Sequence, residues 1–178
     1  MWLCEGSKID WTAVAAVIAL GVWLYDKYQR RGERLASARL LAQIMTTPFG
    51  AAQVEVAKLK RTVCPPDGDQ SYLLSLLSTQ EAREDLASKA SLVTIDLPSQ
   101  FLDKADFFSE HVNNRLACAF SQVSRLKTVC RLSGELPDSA SEEEINEHLQ
   151  AALNQIKEAD KAITDAFQVL LTAGKAAI

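Results

Sequence analysis

The chain has 178 residues, of which 48% are hydrophobic and 24% charged, and its formal net charge is −4. That hydrophobic content is enough for one ordinary packed domain and argues against intrinsic disorder. The net acidity argues against broad nucleic-acid binding, which needs a basic surface.

The first predicted element is a transmembrane helix from Ile9 to Tyr28, preceded by a short extracytoplasmic amino terminus at residues 1–8. Between Trp11 and Tyr25 there is no charged residue, and Thr12 is the only short polar one. Aromatic rings at both ends of the run are typical of a helix whose termini meet lipid headgroups. The uncharged core covers only about 22 Å at 1.5 Å per residue, so its flanks must help it cross roughly 30 Å of hydrocarbon.

Two alternatives compete with this prediction. One is a buried helix of a water-soluble core, because the run is short and rich in alanine. The other is a cleaved secretory signal, which needs positive charge before its apolar run. Here the positive charge follows the run, at Lys27, Arg30, Arg31, Arg34 and Arg39. The positive-inside rule therefore predicts a single-pass protein of the cell (inner) membrane, with the amino terminus outside and the carboxyl-terminal domain cytoplasmic.

A juxtamembrane stalk helix is predicted next, at residues 29–46, with Gly32 as its weak point and a candidate hinge. Its apolar face could pair with a second chain as a coiled coil, or pack against other helices of the same chain. The short pattern favours the second interpretation and leaves homo-oligomerisation open. The face consists of residues at spacings of three and four, namely Leu35, Ala38, Leu41, Ala42 and Met45.

An antiparallel cytoplasmic helical bundle is predicted at residues 47–178, so the fold class is all-α. Thr47 and Pro48 are expected to end the stalk and open the first bundle helix, as N-cap and first helical residue. This helix should stop before the Pro- and Gly-containing turn at residues 64–70.

The segment after that turn is expected to be helical with a break near Ser78, where Ser78 and Glu81 have the spacing of a capping box. A long helix is then predicted from Pro98 to Leu132. A last helix opens at Ser141 and ends at Gly174. The two long helices should pack in opposite directions, because a short loop joins them.

Apolar residues at helical spacing predict the core of this bundle. The residues expected to be buried are Phe49, Ala52, Val56, Leu59, Val63, Tyr72, Leu73, Leu76, Leu77, Leu86, Ala90, Phe101, Ala105, Phe108, Val112, Leu116, Ala119, Phe120, Val123, Leu126, Cys130, Ile145, Leu149, Ala152, Ile156, Ala159, Ile163, Phe167 and Leu170.

The four cysteines, Cys4, Cys64, Cys118 and Cys130, do not have the spacing of a zinc site. Cys118 and Cys130 stand about 18 Å apart along one predicted helix, too far for a disulfide. We expect both to be small core residues in a reducing compartment. Cys64, in a predicted loop, is the one thiol that merits a test of reactivity.

The two histidines, His111 and His148, have acidic neighbours along their helices but lack the Glu-x-x-His spacing of di-iron bundles. Solvated charged faces are therefore the preferred interpretation of Asp103, Asp106, Glu110 and Glu144, and no metal, cofactor or catalytic site is predicted. A solvated surface is also the preferred interpretation of the basic residues Arg115, Arg125, Lys127 and Arg131.

Three functions remain. The favoured one is a non-enzymatic single-pass membrane protein that contacts the bilayer through Ile9 to Tyr28 and whose bundle is a scaffold or adaptor for an unidentified protein partner. The alternative is a membrane-acting effector that oligomerises through its transmembrane helix, where small residues would allow close helix approach. An enzyme with a site of unfamiliar pattern is the third, and it would need a polar pocket inside the bundle. The small residues that would allow close approach of two transmembrane helices in the effector hypothesis are Thr12, Ala15, Ala16 and Ala19.

Overall fold

A computed structural model describes residues 11–97, 101 and 104–175, with side chains described from residue 15 onward except at residue 105. The predicted extracytoplasmic terminus at residues 1–8, the first two residues of the predicted membrane helix, Pro98 and Asp103 lie outside the described residues. All regular structure in the described part is helical, which confirms the all-α fold class.

Five α-helices and one short 3-10 helix make up the described part. They are α1 (Trp11–Val63), α2 (Ser71–Ser78), α3 (Gln80–Ser91), the 3-10 turn η1 (Ala105–Phe107), α4 (Glu110–Gly134) and α5 (Glu142–Gly174).

Contacts within the chain divide it into two units, the first ending at Ser37 and the second beginning at Ala38. The described part of the first unit is the amino-terminal stretch of α1. The second unit contains the rest of α1 and all the other helices, and we call it the bundle. Of the predicted stalk face, Leu41, Ala42 and Met45 are buried in the bundle core, whereas Leu35 is exposed.

The predicted transmembrane helix is not found. No helix among the described residues is long and apolar enough to cross a membrane. The physical reason is that Asp26 and Lys27 follow Tyr25 directly, so the uncharged described stretch is shorter than a bilayer core requires. Tryptophan, tyrosine and alanine also make this stretch less apolar than a leucine-rich run of equal length.

The predicted helix boundary at Thr47 and Pro48 is also wrong, because α1 runs through Pro48 without interruption. Proline removes the hydrogen bond that its N–H would have made to the carbonyl of Ile44. Burial of Met45 before the proline and Phe49 after it keeps both sides of the helix on one core. Tertiary packing therefore overrides a local signal that usually marks a helix start.

The two long carboxyl-terminal helices pack antiparallel, as predicted. Gln155 Nε2 of α5 donates a hydrogen bond of 2.6 Å to Gln122 Oε1 of α4. Nearer the connecting loop, Ser133 Oγ donates to the carbonyl of His148 over 3.2 Å. Residues later in α4 therefore contact residues earlier in α5, which is the antiparallel arrangement.

The bundle part of α1 packs antiparallel to α5 in the same way. Gln43 Nε2 donates to the carbonyl of Gly174 over 3.1 Å. At the other end, Lys60 Nζ lies 2.6 Å from Asp160 Oδ2. The buried stripe of α1 runs between these two contacts, and all five predicted core residues from Phe49 to Val63 are buried.

Helix ends follow the capping residues. Ser141 caps α5 as predicted, accepting a hydrogen bond from the backbone N–H of Glu144. The cap of α3 is Thr79 and not Ser78, so the predicted break is one residue out of place. The long helix predicted from Pro98 is shorter, because Ser109 is extended and caps the start of α4.

Candidate interaction surfaces

The stretch of α1 from residue 15 to 25, which we call the apolar segment, exposes large side chains on every face. Burying such groups is normally what stabilises a helix, so an uncovered apolar surface of this kind is a candidate interaction site. Between 51% and 72% of the area of each large side chain is exposed, at Val17, Ile18, Leu20, Val22, Trp23, Leu24 and Tyr25.

A basic cluster follows the apolar segment, one to three turns further along the helix. Lys27, Arg30, Arg31 and Arg34 recur at spacings of three and four, so they share one helix face. Lys27 Nζ lies 4.7 Å from the centre of the Trp23 ring, which joins the cluster to the end of the apolar segment. The cluster and Trp23 line one shallow depression.

Only part of that positive charge is neutralised within the helix. Arg30 Nε lies 2.9 Å from Asp26 Oδ2, and both side chains are more than half exposed. A pair so exposed contributes little to stability and is readily exchanged for another anion. The cluster can therefore bind phosphate or carboxylate groups presented from outside.

A leucine groove lies on the bundle between α2 and α5. Its floor is formed by Leu73 and Leu77 of α2 and Leu149 and Leu153 of α5, and its volume is about 390 Å³. The prediction that Leu77 is buried is wrong, because its side chain is 37% exposed. The helix α2 has eight residues, too few to bury all four of its leucines against the neighbouring helices.

A polar cluster on the bundle surface joins α2 to α3. The Tyr72 hydroxyl donates to Asp85 Oδ2 over 2.8 Å, and Lys89 Nζ pairs with the same oxygen. The hydrogen bond from Lys89 holds the pKa of the Asp85 carboxyl below its ordinary value; partial burial opposes that effect, and the Tyr72 hydrogen bond adds to it. Burial, and then the hydrogen bond to Asp85, raise the pKa of the Tyr72 phenol far above its ordinary value.

Arg83 is a fully buried charge that the sequence pattern did not predict. Its guanidinium donates to the carbonyls of Leu76 and Leu136 over 3.1 Å and 2.9 Å, and it pairs with the Asp138 carboxylate at 3.1 Å. It thus fastens the α4–α5 loop to the end of α2. The signal was present, because Arg83 shares a helix face with the predicted core residue Leu86.

The described cysteines lie in three different surroundings. Cys64 is exposed in the loop after α1, as predicted, and Cys130 is buried. Burial raises the pKa of the Cys130 thiol to about 12, which makes it a poor nucleophile. The prediction that Cys118 is a core residue is wrong, because Cys118 is exposed. It stands two positions from the buried Leu116, and two positions turn a helix by more than half a circle.

The residues considered as metal ligands do not converge in the described part of the chain. No group of three or more His, Cys, Asp or Glu side chains there could hold a metal ion. His111 is exposed and His148 half-buried on different helices. On α4, Arg115 pairs with Asp165 of α5 at 3.1 Å, so part of the predicted basic surface is neutralised.

No protein-family model, no curated protein and no solved structure matches this chain significantly.

Proposed function

We propose that this chain is a non-enzymatic, membrane-associated adaptor, in which the apolar segment inserts into lipid and the bundle binds a protein partner. The observation that carries the proposal is the exposure of the apolar segment on all sides of its helix. A helix with one apolar face lies flat on a surface, whereas a helix that is apolar all round needs an apolar environment on every side. Lipid provides such an environment.

The energetics support insertion. Moving one large aliphatic or aromatic side chain from water into an apolar medium is worth about 1.5–3 kcal/mol. The segment has seven such side chains exposed, so the gross gain exceeds what one or two neighbouring charges would cost. Trp23 and Tyr25 stand at the end next to the basic cluster, where amphipathic rings and cations meet headgroups.

The charge distribution supports a cytoplasmic bundle. Five basic and two acidic residues lie between Asp26 and Leu40, and the chain after Leu40 has thirteen basic and nineteen acidic residues, a net charge of −6. A basic collar favours the cytoplasmic leaflet, and an acidic body is repelled from it. We therefore propose that only the collar and the apolar segment contact the membrane, with the bundle on the cytoplasmic side.

Flotation of the purified full chain with lipid vesicles tests the lipid contact. We expect the wild-type chain to float with the vesicles and Leu20→Glu to remain largely in the bottom fraction. The matched control is Leu92→Glu, which places the same charge at a leucine of the bundle that is 63% exposed, compared with 58% for Leu20. Equal flotation of the two variants, or no flotation of the wild type, would refute the proposal.

Labelling with a membrane-impermeant maleimide tests the orientation. In intact cells we expect a variant that keeps only Cys64 to be labelled only after the cells are permeabilised. Cys64 is exposed in the folded chain, so folding does not protect it. Labelling of Cys64 in intact cells would contradict the cytoplasmic orientation.

The effector hypothesis has its own support in Ala15 and Ala19, two exposed small residues one turn apart in the apolar segment. If the chain oligomerises there and breaches the bilayer, vesicles loaded with a fluorescent dye will leak when it is added. We expect an adaptor to float with such vesicles without releasing the dye.

A further inference from the structure

Helix α2 carries more apolar surface than the bundle uses. Its sequence, SYLLSLLS, contains four leucines, but only Leu76 is fully buried. Leu74 is 61% exposed and Leu77 37% exposed, although the helix is packed against α3 and α5. Leu74, and the exposed part of Leu77, are therefore not explained by the stability of the bundle.

Two of the α2 leucines meet two leucines of α5 to form the leucine groove. Leu73 and Leu77 are one turn apart on α2, and Leu149 and Leu153 are one turn apart on α5. The floor thus consists of two pairs of leucines, each pair spanning about 6 Å along its helix. A groove between two helices with apolar residues in rows is the form that receives the apolar face of a third helix.

The groove continues into an acidic surface at the start of α5. Asn146 and Gln150 line the leucine groove. The same two residues also line a neighbouring depression, together with Glu142, Glu143 and Glu147. All three glutamates are exposed, and none forms an ion pair with another described residue. Their charge is therefore available to a partner.

We propose that the leucine groove binds a basic amphipathic helix of a partner protein, with its apolar side chains on the four leucines and its lysines or arginines on the three glutamates. This inference rests on the proposed adaptor function and names the chemistry of the partner. Charge selects the occupant, because an acidic or neutral helix would leave the three carboxylates unpaired or repelled. The leucines supply affinity, and the glutamates supply selectivity and orientation.

The test uses the full chain in a neutral detergent, with isotope-labelled leucine methyl groups observed by NMR. The probe is a synthetic amphipathic helical peptide of about five turns, with leucine on one face and lysine on the other. A second peptide carries glutamate in place of every lysine. We expect the lysine peptide to shift the methyl signals of Leu73, Leu77, Leu149 and Leu153. The glutamate peptide should bind at least about tenfold more weakly.

Two matched pairs of variants localise the binding. Leu77→Asp should weaken the lysine peptide at least about tenfold, whereas Leu171→Asp, at a bundle leucine that is also 37% exposed, should not. Glu143→Gln should weaken it by a smaller factor and reduce its salt dependence. The control is Glu81→Gln, which removes an acidic residue from the first turn of α3. Glu143→Gln makes the same change in the first turn of α5, but only Glu143→Gln should alter the affinity for the lysine peptide.

Three results would overturn the inference: equal affinity for the two peptides, methyl shifts scattered over leucines outside the groove, or no binding. Concentration-dependent shifts of the groove leucines without peptide would also overturn it, since the occupant would then be a second copy of the chain. Vesicle flotation is measured on the same variants. Loss of peptide binding with intact flotation refutes the groove alone, and loss of flotation in the wild type refutes the membrane contact.

Discussion

A single buried guanidinium links three parts of the bundle. Arg83 joins the end of α2, through the carbonyl of Leu76, to the α4–α5 loop, through the carbonyl of Leu136 and the carboxylate of Asp138. Its Nε has no hydrogen-bond partner among the described residues, so part of its desolvation cost is not offset.

Replacement of this arginine is therefore expected to destabilise the bundle. Arg83→Met keeps most of the side-chain volume but leaves two backbone carbonyls without their donor, and we expect a loss of about 2 kcal/mol in the free energy of unfolding. Urea denaturation measures it. Arg125→Met, at an exposed arginine of α4, is the control and should change that free energy by less than about 0.5 kcal/mol. An unchanged midpoint for Arg83→Met would contradict the fastening role.

Asp85 should make a pH-dependent contribution to stability. Its pKa is lowered in the folded chain, from an ordinary value of 3.8, so the carboxylate favours folding above that pH and loses this effect as the pH falls through the lower, folded-state pKa. Asp85→Asn should thus be less stable than the wild type at pH 7, and the difference should shrink below pH 3.8. Thermal unfolding from pH 7 to pH 2 measures the trend. A deficit for Asp85→Asn that stays constant from pH 7 to pH 2 would refute the argument.

Among the helices, α1 is the most informative, because an interior proline disfavours its helical conformation while the packing of the residues around it favours that conformation. Pro48→Ala restores a backbone N–H at an interior helical position and removes the ring's clash with the preceding turn. We expect the free energy of unfolding to rise by about 1–3 kcal/mol. Pro66→Ala, in the loop after α1, is the control and should be close to neutral. A neutral or destabilising Pro48→Ala would mean that a helix starts at this proline after all.

Substitution of two helical glycines tests how closely α4 packs on α3 and how closely α1 packs on α5. A Cβ at Gly134 of α4 would lie 3.2 Å from the Ala87 Cβ and 3.3 Å from the Arg83 carbonyl oxygen of α3. A Cβ at Gly50 of α1 would meet only Phe167 Cε2, at an ordinary 3.5 Å. Gly134→Ala should therefore destabilise the bundle by about 1 kcal/mol, and Gly50→Ala should stabilise it by about 0.5–1 kcal/mol through helix propensity. Equal effects in chemical denaturation would contradict the close packing of α3 on α4.

Long periodic patterns made most of these elements predictable from the sequence. The stripes of α1 and α5 repeat over many turns, so errors at single positions do not alter the face that is buried. Local signals were less reliable, as at Pro48, where burial of Met45 and Phe49 outweighs the preference of proline for a helix start. The long predicted helix is interrupted at Ser109, whose side chain caps the start of α4. The apolar pattern continues on both sides of Ser109, so periodicity alone did not reveal this boundary.

The candidate surfaces were harder to predict than the helices. Periodicity predicts which leucines face a core, but it does not show how many of them a short helix can bury. The exposure of Leu77 was therefore not predicted. A charged residue on a helix is normally solvated, which concealed Arg83. The apolar segment was recognised from its composition, although the described helix proved too short in its uncharged part to cross a membrane.

At the scale of the whole molecule, the chain combines an uncovered apolar segment with an acidic bundle that buries its own core. On the proposed function, the apolar segment prefers lipid and the bundle prefers water, so the chain is held at a membrane while no surface of the bundle faces lipid. We therefore expect the apolar segment to lie in hydrocarbon and the bundle to remain in water.

The depth of Trp23 in a bilayer tests this claim most directly. With Trp2 and Trp11 replaced by phenylalanine, Trp23 is the only tryptophan of the chain, and its fluorescence can be quenched by lipids brominated at defined positions along the acyl chain. We predict a blue-shifted emission, with the strongest quenching by lipids brominated near the headgroup end of the acyl chains. Emission at the wavelength of a water-exposed tryptophan, with no quenching by any brominated lipid, would contradict the account.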